Sequence, residues 1–165
     1  MTIQVGDRVP SGTLTRMTDN GPQAVSTEEL FNGRTVALFS VPGAFTPTCS
    51  AKHLPGFVER ADDLRARAID EIVCISVNDA FVMGAWGKQA GVGEKVTMLA
   101  DGNGDFVKAL GLTMDASKFG MGTRGQRFSM LVRDGTVEQL NVEEPGAFQV
   151  SSADYMIEKL GPIVC

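Results

Sequence analysis

The chain has 165 residues, of which 43% are hydrophobic and 21% charged, the balance of a soluble globular protein with enough apolar material for a core. A net charge of −5 and a pI near 4.9 leave no basic footprint for nucleic acid or an anionic membrane. No apolar run approaches the ~18 residues of a membrane span, and residues 1–7 lack the basic-then-apolar pattern of an export signal. No membrane or nucleic-acid partner is therefore expected, and the expected location is cytoplasmic; an organelle presequence removed from this chain stays open. The three cysteines, Cys49, Cys74 and Cys165, are too few and too scattered for a disulfide framework, which points to a reducing compartment. With one histidine and no C-x-x-C, no metal site or other cofactor is expected.

In chain order, residues 1–35 read as irregular and turn-rich, with a short strand near residues 12–16 and a helical turn over residues 26–30 ending at Asn32-Gly33. Residues 35–41 are continuously apolar, as in a parallel strand covered on both faces. Thr46 reads as the N-cap of the helix that follows, and Pro47 as its first residue, where the missing N–H costs nothing. A kink or short break is expected at Pro55-Gly56. The helix then resumes over residues 57–68, with Phe57, Ala61, Leu64 and Ala68 on its buried side.

Residues 71–77 form a second buried strand. Asn78 is read as the cap of a helix over residues 79–90 that stops at Gly91. A shorter strand over residues 95–100 and a short helix over residues 105–111 precede a glycine-rich loop, residues 112–126. Asp134-Gly135 joins strands 127–133 and 136–141 as a hairpin, and a last helix starts near Ser151-Ser152 and ends at Leu160. This order predicts an α/β chain of one domain over residues 1–165, a thioredoxin-like fold with an N-terminal extension and a central mixed sheet flanked by helices.

The chemistry concentrates in residues 41–50. On the capping pattern Cys49 is the third helical residue, where unpaired backbone N–H groups and the helix dipole favour an anion. A thiol placed there has its pKa lowered, because those donors stabilise the thiolate and not the thiol. Cys49 and His53 are four residues apart and could share a helix face as a nucleophile–base pair. Pro55 disturbs that helix and no oxyanion partner is evident, so a packing or ion-pairing role for His53 is preferred. By composition Arg124, Arg127 and Arg133 all remain candidates for the cation that such a thiolate needs.

Pro42-x-x-x-Thr46-x-x-Cys49 resembles the peroxidatic signature of the peroxiredoxins. The longer run over residues 41–57 is similar to the peroxiredoxin-5 and plant type II subfamily, as are residues 75–86 and Arg127-Phe128-Ser129-Met130. The resemblance implies an antioxidant peroxidase in which Cys49 attacks a hydroperoxide and becomes a sulfenic acid. It implies that Thr46 donates through its hydroxyl, that Arg127 supplies charge and donors, and that Pro42 shields the site from water. Cys74 lies at the spacing where the plant enzymes carry a second cysteine, which makes it a possible resolving residue; read as mid-strand, it could pair only after local unfolding. Regeneration is accordingly expected from glutaredoxin with glutathione, or from thioredoxin, and a homodimer is expected.

A redox sensor or relay that passes oxidation from Cys49 to a partner protein uses the same sulfur and stays open. Plain thiol–disulfide exchange is disfavoured by the missing C-x-x-C.

Overall fold

The sheet is assembled around β3 (Thr35–Ser40), buried along all but its first residue. The computed structural model describes residues 2–161, with Cys49 described through its backbone alone; Cys165 lies outside the described residues. β3 pairs in parallel with β4 (Glu71–Ser76), which pairs in parallel with β5 (Thr97–Ala100). On its other side β3 runs antiparallel to β8 (Phe128–Arg133), which continues into β9 (Thr136–Val142).

Alternate residues of the central strands serve two separate cores, which is why these strands are apolar without interruption. Phe39 and Cys74 face one side, with α2 (Leu54–Glu59), α3 (Ala61–Arg65), α4 (Ala80–Ala90) and α6 (Ala153–Leu160) packed over them. Leu38, Val73 and Ile75 face the other, under α1 (Thr27–Phe31) and α5 (Asp105–Leu110). Mixed sheet, flanking helices and terminal antiparallel pair are those of the thioredoxin-like reading.

The N-terminal segment is more ordered than its composition suggests. β1 (Thr13–Thr18) and β2 (Gly21–Ser26) form a hairpin that joins the sheet through Thr15 opposite Ala100, giving the order β2-β1-β5-β4-β3-β8-β9. β2 is a polar edge strand with a proline, a pattern that edge position tolerates and that periodicity does not reveal. Residues 112–126 are likewise not a plain loop: β6 (Thr113–Asp115) and β7 (Thr123–Gly125) pair antiparallel.

The expected Asp134-Gly135 turn has φ of 48° and 79°, the left-handed pair that a two-residue hairpin of this hand requires. Among the described residues no helix is long and apolar enough to cross a membrane.

Candidate active site

β3 ends against a loop that is tied to the neighbouring strand. The Val41 N–H donates to the Ile75 carbonyl at 3.2 Å. The Ser76 hydroxyl lies 2.7 Å from Asn78 Oδ1 and 3.0 Å from the Val41 carbonyl oxygen, and its single proton serves one of them at a time. Asn78 Oδ1 also accepts from the Ala44 N–H at 2.9 Å.

Asn78 is therefore not the helix cap that its sequence position suggested. The cap of α4 is Asp79, whose carboxylate accepts from the Val82 N–H at 2.8 Å. Asn78 is free to hold the loop instead. Phe45 sits in that loop at φ 65°, a conformation costing an L-residue roughly 1–2 kcal/mol, so the tethers around it have strain to hold.

Pro47 and Thr48 are helical, and the Ser50 N–H donates to the Thr46 carbonyl at 2.9 Å, the first i→i−4 bond. Thr46 thus occupies the N-cap position with Pro47 first and the Cys49 backbone third. The Thr46 hydroxyl donates to the Gly43 carbonyl at 2.7 Å, so its one proton faces its own loop and its lone pairs remain as acceptors.

From Cys49 to His53 the helix widens into a π turn and then returns to α geometry in α2. Pro55 explains the widening. Its missing N–H and its ring disrupt the i→i−4 ladder one turn back, and a π turn absorbs the misfit. Helical geometry runs through Pro55-Gly56 without a break. Helix continuity is lost instead at Arg60, between α2 and α3, where φ is −99° and ψ is 12°.

The indole of Trp86, 1% exposed, donates from Nε1 to Ser50 Oγ at 3.0 Å, fastening the π turn to α4. Replacing Ser50 with Ala leaves that N–H buried without its partner, at an expected cost of about 1–3 kcal/mol. Trp86 is the only tryptophan, so a urea titration followed by its emission reads both the stability loss and the changed indole environment.

Opposite this helix stands Arg127, immediately before β8. Its Nη1 donates to Nδ1 of His53 at 2.8 Å, and its guanidinium lies 5.8 Å from the centre of the Phe148 ring. His53 is fully buried between Phe39, Phe57 and Phe148, with ring centroids 4.8, 5.8 and 5.1 Å away. Its Nε2 is 2.9 Å from the Ser151 carbonyl oxygen. Arginine can only donate and a carbonyl can only accept, so the imidazole is neutral with its proton on Nε2. Burial first, and then the Arg127 charge, lower its pKa to about 3.

Ser151 is itself fixed by Glu143. One oxygen, Oε2, accepts from the N–H groups of Gln149, Val150 and Ser151, each at 2.8 Å, and from the Ser151 hydroxyl at 2.7 Å. Burial pushes this carboxyl up, and the four hydrogen bonds, led by the Ser151 hydroxyl, more than offset it and hold the group below the usual range. The Glu143 N–H closes the circuit by donating to the Arg127 carbonyl at 3.0 Å.

Arg127, Pro42 and Thr48 line a cleft of about 700 Å³ whose farther wall includes Met114, Phe119 and Pro145. The structure thus brings Pro42 and Arg127 to one cleft, beside the turn that carries Thr46 and the Cys49 backbone. Arg124 serves another purpose, donating to the carbonyls of Met121 at 2.9 Å and Pro42 at 3.3 Å, which anchors the β6–β7 hairpin over the loop. Arg133 ends β8, about 20 Å along the strand from Arg127, and pairs with Glu138 at 3.0 Å. Cys74 is wholly buried in β4, with Phe39 and Met98 as its lateral neighbours.

The part played by Glu143 carries no sequence signal, and Asn78, Arg124 and Ser151, which the sequence singled out for other roles, act here through contacts distant in the chain. Among the described residues no cluster of three or more His, Cys, Asp or Glu side chains could hold a metal ion.

A buried strand, a proline-bearing loop and a helix with cysteine in its first turn, set in a mixed sheet, define a thiol-redox protein of thioredoxin-like fold, and residues 4–157 match the Redoxin family model. The chain is 50% identical over 164 residues to the chloroplastic Peroxiredoxin-2E-2 of Oryza sativa, covering 96% of this chain and 73% of that one. It is 48% identical over 159 residues to Peroxiredoxin-2B of Arabidopsis thaliana, covering 96% and 98%. The crystal structure of reduced Prx3 from Vibrio vulnificus in complex with hydrogen peroxide superposes with a TM-score of 0.93 at 48% identity, covering 97% of this chain and 100% of that one. The chain belongs to the peroxiredoxins, in the plant type II group that its sequence resembles. Membership of that family supports a thiol-dependent peroxidase activity.

Proposed function

We propose that this chain reduces hydrogen peroxide and small alkyl hydroperoxides through a sulfenic acid at Cys49, and that a separate thiol protein restores it. The observation that carries the reading is the placement of Cys49 as third residue of a helix facing a cleft lined by Arg127, Pro42 and Thr48. The hydrogen peroxide bound to the similar Vibrio vulnificus protein supports the substrate class.

In the proposed step the thiolate attacks the terminal peroxide oxygen, an S–O bond forms, and the O–O bond breaks. The departing oxygen takes a proton and leaves as water or an alcohol. Arg127 supplies fixed positive charge and donors where negative charge develops on that oxygen. Thr46, with its proton on the Gly43 carbonyl, offers a lone pair to the peroxide's own O–H and so orients it. Pro42 covers the cleft mouth and limits water.

A first thiol then displaces water from the sulfenic acid to give a mixed disulfide, and a second thiol releases Cys49 and carries away the oxidised pair. The complete burial of Cys74 within β4 supports an external donor, because a resolving role for Cys74 requires the sheet to open. Glutaredoxin with glutathione, or thioredoxin, fits this need. The single domain over residues 1–165 would act in the cytoplasm as a homodimer through the exposed rings of Phe45, Phe81 and Phe119. Sedimentation at micromolar concentration gives a dimer on this reading.

Steady-state peroxide consumption tests the cycle. Turnover is expected with at least one of the two donors, its loss in Cys49→Ser, and its retention in Cys74→Ser. A single oxidation of Cys49 with no turnover on either donor contradicts the cycle and supports a sensor or relay in its place.

A further inference from the structure

We propose that His53 is a positioning residue for Arg127, a neutral hydrogen-bond acceptor that aims the guanidinium at the Cys49 cleft without cancelling its charge. The inference rests on the peroxidase reading for its rate consequences, and on geometry for the pairing itself.

An exposed arginine next to a cleft samples many rotamers, and each ordered rotamer carries an entropic cost. The common solution is a carboxylate partner, which fixes the fork but brings a negative charge with it. Here a partner is an imidazole. Its Nδ1 accepts from Arg127 Nη1 at 2.8 Å, and its proton is committed to the Ser151 carbonyl at 2.9 Å. Three aromatic rings enclose it. The nearby carboxylate, Glu143, spends its Oε2 on Ser151 and the two preceding N–H groups.

Glu143 therefore orders the carbonyl that sets the histidine tautomer, and the tautomer presents the lone pair that orients Arg127. On the His53 side the cation is oriented by a neutral group, and this contact leaves its field available to a thiolate and to the oxygen leaving it.

Among the described residues the titratable and charged groups facing His53 are Arg127 and Glu143, and the pKa near 3 agrees with an imidazole that stays neutral throughout the working range. Its charge state consequently contributes nothing to the pH profile of the reaction; its hydrogen bond does.

The test is a cycle of His53→Leu, Arg127→Met and the double variant. It is read by the rate of Cys49 oxidation by hydrogen peroxide and by the pH profile of Cys49 alkylation. His53→Leu is expected to slow oxidation about tenfold or more and to move the alkylation profile to higher pH, with no further loss in the Arg127→Met background. His53→Gln, which keeps one acceptor and one donor on a planar group, is expected to recover most of the rate.

A folded His53→Leu protein within twofold of wild type, or losses that add in the double variant, overturns the proposal. Because His53 is the only histidine, its imidazole nitrogens can also be read directly by nitrogen NMR, even if His53→Leu does not fold. Nδ1 is expected to be unprotonated and to shift in Arg127→Met; a proton on Nδ1, or no shift, refutes the pairing. If wild-type Cys49 ignores peroxide, the peroxidase reading fails, while the alkylation profile and the nitrogen signals still decide the role of His53.

Discussion

Arg127→Met is expected to lower the rate of Cys49 oxidation by hydrogen peroxide by about 10²–10³-fold, the usual consequence of removing one donor from developing negative charge. Methionine keeps the length and apolar body of the side chain, so packing against Phe148 is largely retained while charge and donors are lost. The same variant is expected to move the Cys49 thiolate titration to higher pH, since a nearby cation favours the charged form. Arg127→Lys is expected to recover only part of the rate. A point charge on a flexible stem cannot reach both the His53 nitrogen and the reacting atoms as a planar fork can. Stopped-flow oxidation under excess peroxide, with alkylation against pH in parallel, separates the two effects.

The second large effect is on stability in acid. The folded pKa of His53, about 3, lies well below its ordinary 6.5, chiefly because burial disfavours the imidazolium. Between these values the unfolded chain binds a proton that the folded chain does not, so stability falls as pH falls. The slope approaches 1.4 kcal/mol per pH unit, for a loss of about 2 kcal/mol by pH 5 relative to pH 7. This stability is intact above pH 6.5 and is lost progressively towards pH 3.

Glu143, held below its ordinary pKa of 4.5, adds a loss of the same sign in the carboxylate range. Asp101 opposes it there, since burial raises that carboxyl. Urea unfolding of wild type and His53→Gln at pH 7, 6 and 5 isolates the histidine. The wild-type curve is expected to drop and the Gln curve to stay nearly level over that window. Parallel curves would show that His53 titrates in the folded chain as it does when unfolded.

The parts of this molecule that could be read from the sequence are those whose physics is local. β3 and β4 declare themselves because strands buried on both faces must be continuously apolar. Asp134-Gly135 fixes a hairpin because only a left-handed pair joins such strands in two residues. Thr46-Pro47 marks a helix start within one residue.

The failures are equally physical. β2 is a polar edge strand recognisable only by the neighbour that pairs with it. Asn78 and Asp79 are both good caps, and the choice between them was made by the Ala44 N–H, 34 residues away in sequence. Pro55 was a correct sign of a disturbed helix, but the disturbance moved one turn back, into the π turn that bears Cys49.

The candidate site divides the same way. Cys49, Thr46 and Pro42 belong to one short motif, and Arg127 was nominated through its own short run, Arg-Phe-Ser-Met. What no run of residues could show is that the one histidine, 74 positions from Arg127, is its neutral acceptor. Nor could it show that Glu143 holds the turn that makes it so. That arrangement keeps the packing role preferred for His53, among three aromatic rings, and replaces the nucleophile–base pair and the ion pair with a neutral hydrogen bond.

The central claim is that Cys49 is the atom on which peroxide is reduced. Stoichiometric peroxide titration of wild type and Cys49→Ser, read by a thiol-specific mass shift on digested peptides, tests it most directly. One sulfenic acid per chain on the Cys49 peptide, absent in the variant and formed without change at Cys74, is the predicted result; an unreactive Cys49 beside consumed peroxide would contradict the account.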